Sequence, residues 1–231
     1  MAYESIKKGF YNFISNFVLT PIYSFLGDIK TYGKENLEKV PNSYRIVIAT
    51  THTNIERSIP IGLALKEQFY LIIKKEMPRW YLKRWWLEPF IRLLNGKWIE
   101  GNETRCAKKD LETIAEVIDT EDLNKNEPRY VLIAVSGNFN TDNPEEFIAK
   151  RGLALAYKIR LKNNLKKNKT RFNSIIVPSV ELMKINKKRK EYIIIYDKQI
   201  NPNDFIRGKD FDTYALTQTI QSNIRKIMAC F

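Results

Sequence analysis

The run RIVIATTHTNIERSIPIGLAL, Arg45 to Leu65, joins the two kinds of element from which the rest of the chain is built. Arg45 to Thr50 is short, apolar and rich in β-branched residues, the pattern of a buried strand. Ile55, Ile59 and Leu63 then recur four apart, the spacing of one helix face, with Pro60 set to kink it. At the turn between them stands His52, the only histidine in 231 residues, and Glu56 follows four residues on. Side chains four apart on a helix share a face, so a helix starting at His52 would bring the carboxylate to the imidazole. A carboxylate there fixes one tautomer and raises basicity, as a general base requires. A purely structural histidine at a helix start is the other reading of the same pattern.

Outward from this run, strand and helix patterns alternate. Strands are predicted over Ile29–Tyr32, Arg45–Thr50, Phe69–Ile73, Lys97–Glu100, Tyr130–Val135, Ser174–Glu181 and Glu191–Asp197. A helix over Thr104–Asp119 aligns Ala107, Leu111, Ile114, Ala115 and Ile118, and a last helix from about Phe211 aligns Leu216, Ile220, Ile224, Ile227 and Met228. The order predicts an α/β fold, a mixed and largely parallel sheet layered by helices. Residues 29–231 form that domain, preceded by an amphipathic helical element over 1–28.

A hydrophobic fraction of 44% supplies a core, and the formal net charge of +13 favours anionic partners: nucleic acid, lipid head groups or phosphorylated substrates. Two distant cysteines, Cys106 and Cys230, match neither a disulfide framework nor a zinc spacing, which points to a reducing, cytoplasmic setting and no metal site. The basic runs Lys162–Arg171 and Lys184–Glu191 read as loops. They lack the interleaved aromatics that stack on bases, so no nucleic-acid partner is expected.

Two segments suit a membrane surface. Gly9 to Gly27 carries no charge, but Asn12, Asn16, Thr20 and Ser24 form a polar stripe opposite Phe10, Phe13 and Phe17, and Pro21 interrupts the helix. Such a helix lies in the interface and does not span it. Trp80, Trp85 and Trp86 fall within seven residues beside Arg79, Lys83 and Arg84, a mixture suited to the boundary of acyl chains and phosphates. Packing of both segments on the folded domain is the alternative.

Several blocks together resemble one family. YGKENLEKVPNSYRIVIATTH, YLIIKKEM, LLNGKWIE, VLIAVSGNFNTD, AKRGLALAYK and IIVPSVEL follow, in order and spacing, the motifs of the glycerolipid acyltransferases, the 1-acylglycerol-3-phosphate acyltransferases and their relatives. The resemblance spans about residues 32–182. It implies that His52 is the general base for an acceptor hydroxyl, which attacks an acyl thioester carried by coenzyme A or acyl carrier protein. It further implies that Lys75, Ser136, Gly137, Asn138, Lys150, Arg151 and Gly152 bind substrate, and that no cofactor is needed beyond the thioester donor. The implied setting is the cytoplasmic face of a membrane, peripheral or monotopic, with membrane lipids as partners.

The departures are specific. The family's aspartate, five residues after the histidine, is here Arg57, leaving Glu56 as the nearest carboxylate in sequence. Its third-motif glutamate falls on Ser136, its threonine and arginine on Asn138 and Phe139, and its second-motif arginine on Asn102. These gaps keep open a lipid-binding or regulatory protein that has lost turnover. A serine hydrolase built on Ser136 is disfavoured, because VSGNF lacks the glycine two residues before the serine that a nucleophile elbow uses.

Overall fold

A computed structural model describes residues 27–51, 55–74, 96–99, 107–120, 123, 127–136, 143–186 and 189–230, with 9, 12–13, 16–17 and 20–21 near the N-terminus. Seven strands form one sheet: β1 (Gly27–Tyr32), β2 (Arg45–Thr50), β3 (Phe69–Lys74), β4 (Gly96–Ile99), β5 (Tyr130–Ala134), β6 (Ser174–Asn186) and β7 (Arg189–Tyr196), in the order β1-β7-β6-β2-β5-β3-β4. Every pairing is parallel except the β6–β7 hairpin. The helices are α1 (Glu35–Glu38), α2 (Ile55–Leu65), α3 (Ala107–Val117), α4 (Gly152–Leu165) and α5 (Thr213–Ala229), and a small β8–β9 pair (Ile206–Arg207, Asp210–Phe211) precedes α5.

β2 lies between β6 and β5, and all six of its residues are buried. A strand covered on both faces cannot alternate polar with apolar, and this explains the unbroken RIVIAT run. Val47 and Ala49 face a core shared with α3, α4 and α5, whereas Ile46 and Ile48 face a second core with α1 and α2. The apolar stripe of α5 buries Leu216, Ile220, Ile224, Ile227 and Met228 as its spacing predicts, and Asp212 caps that helix by accepting from Ala215 N at 2.9 Å. In α3, Ile114 and Ala115 are buried, as is Ile118 just beyond its end.

Two sequence expectations need correction. Lys162–Leu165 continues α4, and only the rest of that basic run is irregular. In the second run Lys184–Asn186 and Arg189–Glu191 are paired strand, so β6 and β7 extend well past the end of β2. Charged side chains on the protruding part of a hairpin hide the strand signal, because no core lies under them to impose alternation.

The extension creates an overhang. β2 ends at Thr50, opposite Ser179, while β6 runs on to Asn186 with β7 and β1 beside it. Gly33 turns the chain out of β1 with φ of +73°, and a β-carbon there would stand 2.0 Å from Tyr196 O. Asn36 Nδ2 then donates to the same Tyr196 carbonyl at 3.1 Å, and Leu37 is buried below, so Gly33, Asn36 and Leu37 fasten α1 to the end of β7. Gly33→Ala is expected to lower stability by at least about 2 kcal/mol, through the left-handed backbone and the displaced carbonyl, measurable as a lower urea midpoint.

Candidate active site

Buried polar groups gather at both ends of the sheet, and at each end some lack a hydrogen-bond partner among the described residues, Arg45 Nε and Gln68 Nε2 at the amino ends among them. At the amino ends of β2 and β6, buried Asp119 accepts from Arg160 Nε at 3.0 Å, Asn164 Nδ2 at 3.3 Å and Asn173 N at 2.7 Å. Buried Arg45 donates to Val117 O at 2.9 Å and to Glu127 at 2.6 Å. The carboxylate of Asp119 is thus well supplied with donors, as buried structural polar groups generally are.

The carboxyl ends carry a different set. On the face covered by α1 and α2, the register aligns Thr50, Ser179 and Tyr196 in one row across β2, β6 and β7, with Glu181 two residues further along β6. Thr50, Ser179, Glu181 and Tyr196 are all buried. Thr50 Oγ1 donates to a Glu181 carboxylate oxygen. Among the described residues Ser179 Oγ, Tyr196 Oη and Thr51 Oγ1 have no hydrogen-bond partner. Burial pushes the Tyr196 phenol up, and the neighbouring Glu181 carboxylate pushes it further in the same direction. A neutral tyrosine hydroxyl and a carboxylate therefore share this end of the sheet.

The β5 side closes on the same point. Val135 N donates to Thr50 O at 2.9 Å, and buried Ser136 Oγ donates to Thr51 O at 2.5 Å. Ser136 also pairs with Ala149, and Lys150 N donates to Val135 O at 2.8 Å. These bonds bring Ser136, Lys150, Arg151 and Gly152 to the carboxyl edge next to Thr51, the residue before His52. Arg151 precedes the first turn of α4, exposed, with its guanidinium 5.6 Å from the Tyr214 ring centre. Gly152 has open space where a β-carbon would stand, so packing does not require a glycine there.

His52, Lys75, Gly137, Asn138, Phe10, Trp80, Trp85 and Trp86 lie outside the described residues, and Glu56 is in the first turn of α2 with its side chain likewise outside them. Phe13 and Phe17 are exposed (54% and 72%) and stack on each other at 5.4 Å. No helix among the described residues is long and apolar enough to cross a membrane.

Sequence reasoning missed Thr50, Ser179, Glu181 and Tyr196. One signal was present: in IIVPSVEL, Glu181 shares strand parity with Ile175 and Val177, whose face is buried, and an acidic residue on a buried face calls for a purpose.

The class is an open, largely parallel α/β sheet layered by helices, and in such sheets ligands generally bind outside the carboxyl ends of the parallel strands. The fold is that of the crystal structure of the 1-acyl-sn-glycerophosphate (LPA) acyltransferase PlsC from Thermotoga maritima, to which this chain is similar with a TM-score of 0.56 and 12% sequence identity over 96% of this chain and 78% of that one. No family model and no curated protein matches the sequence.

Proposed function

We propose that the chain is a divergent glycerolipid acyltransferase that moves a fatty acyl group from an acyl thioester, of coenzyme A or acyl carrier protein, to a hydroxyl of a lysophospholipid or related lipid. The observation that carries this reading is the carboxyl edge itself. In a fold shared with an acyltransferase, buried Thr50, Ser136, Glu181 and Tyr196 gather around the strand end that the single histidine of the chain follows.

The chemistry needs little more than a base and a place to hold two substrates. The His52 imidazole takes the hydroxyl proton while the oxygen attacks the thioester carbonyl. The resulting tetrahedral carbon expels the thiolate, which recovers the proton from the imidazolium, so one C–O bond replaces one C–S bond and the base is regenerated. Glu56, four residues on, is the carboxylate that the sequence offers to orient the imidazole. Lys75, Gly137 and Asn138, with Lys150, Arg151 and the first N–H groups of α4 at Gly152, hold anionic parts of donor or acceptor. Phe10, Phe13 and Phe17, with Trp80, Trp85 and Trp86, set the protein on the cytoplasmic face of a membrane, aided by its +13 charge.

Arg57 and Ser136, standing where the family has carboxylates, favour one second reading, a lipid-holding protein without turnover. Free-thiol release separates the two. Purified protein in anionic vesicles, given an acyl thioester and a panel of lysolipids, is expected to release thiol only with an acceptor present. Tight vesicle binding with no release for any acceptor, from coenzyme A or carrier-protein donors, supports the second reading.

A further inference from the structure

The sequence offers Glu56 as the partner of His52, but the sheet holds another carboxylate close to the end of β2. Glu181 is on β6, the strand paired in parallel with β2, two residues past the last β2–β6 pair, Thr50 with Ser179. His52 is two residues past the same Thr50 in sequence, and two residues of chain reach at most about 7 Å. On the other side of β2, Ser136 is likewise two residues past the last β2–β5 pair, Thr50 with Ala134. Glu181 and Ser136 therefore flank the end of β2, from which His52 is only two residues away in sequence. Both also have the strand parity of the face that α2 covers, the helix into which the His52 turn leads.

The Glu181 side chain leans toward β2, because Thr50 Oγ1 donates to its carboxylate. It is 3% exposed. A carboxylate kept from water in this way interacts more strongly with a neighbouring cation than one at the surface. Among the described residues, β7 presents Tyr192 and Tyr196 to this face and β5 presents Tyr130, α1 carries Glu35 and Glu38, and the first turn of α2 holds Glu56 and Arg57.

We infer that Glu181 is a positioning residue for His52: anchored by Thr50 at the end of the central strand, its carboxylate orients the imidazole and stabilises the imidazolium formed when the acceptor proton is taken. This deepens the acyltransferase reading and rests on it for the reaction, though not for the contact. It also accounts for Arg57. A carboxylate supplied from β6 relieves position 57 of that duty, and the arginine is then tolerated because the imidazolium it would disfavour has a buried counter-charge nearby.

The test uses the single histidine of the chain, whose imidazole Hε1 resonance needs no assignment. In the purified full-length protein the His52 titration midpoint is followed by proton NMR for wild type, Glu181→Gln and Glu181→Asp, beside kcat and KM for acyl transfer. Glu181→Gln is expected to lower the midpoint by about one pH unit or more and to reduce kcat at least about tenfold with KM little changed. Glu181→Asp is expected to restore part of both. Thr50→Val, which keeps the carboxylate but removes its anchor, is expected to lower kcat at unchanged KM and carries the test if Glu181→Gln does not fold. An unchanged midpoint in folded Glu181→Gln overturns the inference, as does an unchanged kcat in Thr50→Val. A shifted midpoint in a wild-type background without transferase activity leaves the contact standing and removes the acyltransferase reading. Transfer with no effect of either variant does the reverse.

Discussion

Replacing His52 with alanine is expected to lower the rate of acyl transfer by roughly 10²- to 10⁴-fold, the usual contribution of a positioned general base. An alcohol near neutral pH is a poor nucleophile, and the one carboxylate described at the carboxyl edge, Glu181, is buried and already accepts from Thr50. Thr50, Ser136, Ser179 and Tyr196 offer hydroxyls, and burial together with Glu181 keeps the Tyr196 phenol protonated. Because the imidazole gains its charge only as the bond forms, kcat and kcat/KM should fall together while KM holds. Initial rates of thiol release at saturating donor and acceptor check this. The variant should keep the wild-type far-ultraviolet circular dichroism and vesicle binding, since the strand and the helix on either side are held by their own cores. Retained turnover would mean that His52 only shapes the turn.

The second large effect lies at the opposite end of the sheet. Asp119→Ala is expected to lower the folding stability by about 3–5 kcal/mol, the range for removing one partner of a buried ion pair. Three donors converge on this carboxylate: Arg160 Nε at 3.0 Å, Asn164 Nδ2 at 3.3 Å and the Asn173 backbone at 2.7 Å. They tie the end of α3 to α4 and to the start of β6. Alanine leaves the Arg160 charge, 15% exposed, without its counter-ion and strands two further donors. Asp119→Asn, whose amide oxygen still accepts, should lose less. Urea unfolding of both variants reports the difference, and a loss for Asp119→Ala below about 1 kcal/mol would show that water replaces the carboxylate at no penalty. Turnover per folded molecule should not change, because the network stands at the amino ends of the strands.

These two residues also mark how far the sequence could be read. β2 was legible to the residue, because a strand buried on both faces has to be continuously apolar, and the α5 stripe was legible because one face of a surface helix must meet a core. His52 stood out as the only imidazole, at a strand-to-helix turn. Asp119 did not stand out, since its partners lie 41 to 54 residues away and only the folded chain brings them together. The overhang of β6, β7 and β1 was hidden by the lysines and arginines of its protruding tip. Without that hairpin the register linking Thr50, Ser179 and Tyr196 could not be written down, and Glu181 remained one acidic residue in an apolar strand. Local patterns report burial; the company a polar residue keeps is set by strand order, which no local pattern contains.

The motif blocks point two ways about the acceptor. The groups missing from the second and third motifs are those that would hold a phosphate in the family, whereas Lys150 and Arg151 remain at the start of α4. Acceptors differing only in head-group charge should therefore separate more by KM than by kcat.

The most direct measurement is the fate of the acyl chain itself. Wild-type protein in anionic vesicles is given an isotope-labelled acyl thioester and a panel of lysophospholipids, and the lipid pool is read by mass spectrometry. Labelled diacyl product that depends on His52 is the predicted result. Label that stays on the donor for every acceptor, or that appears only as free fatty acid, would contradict the account.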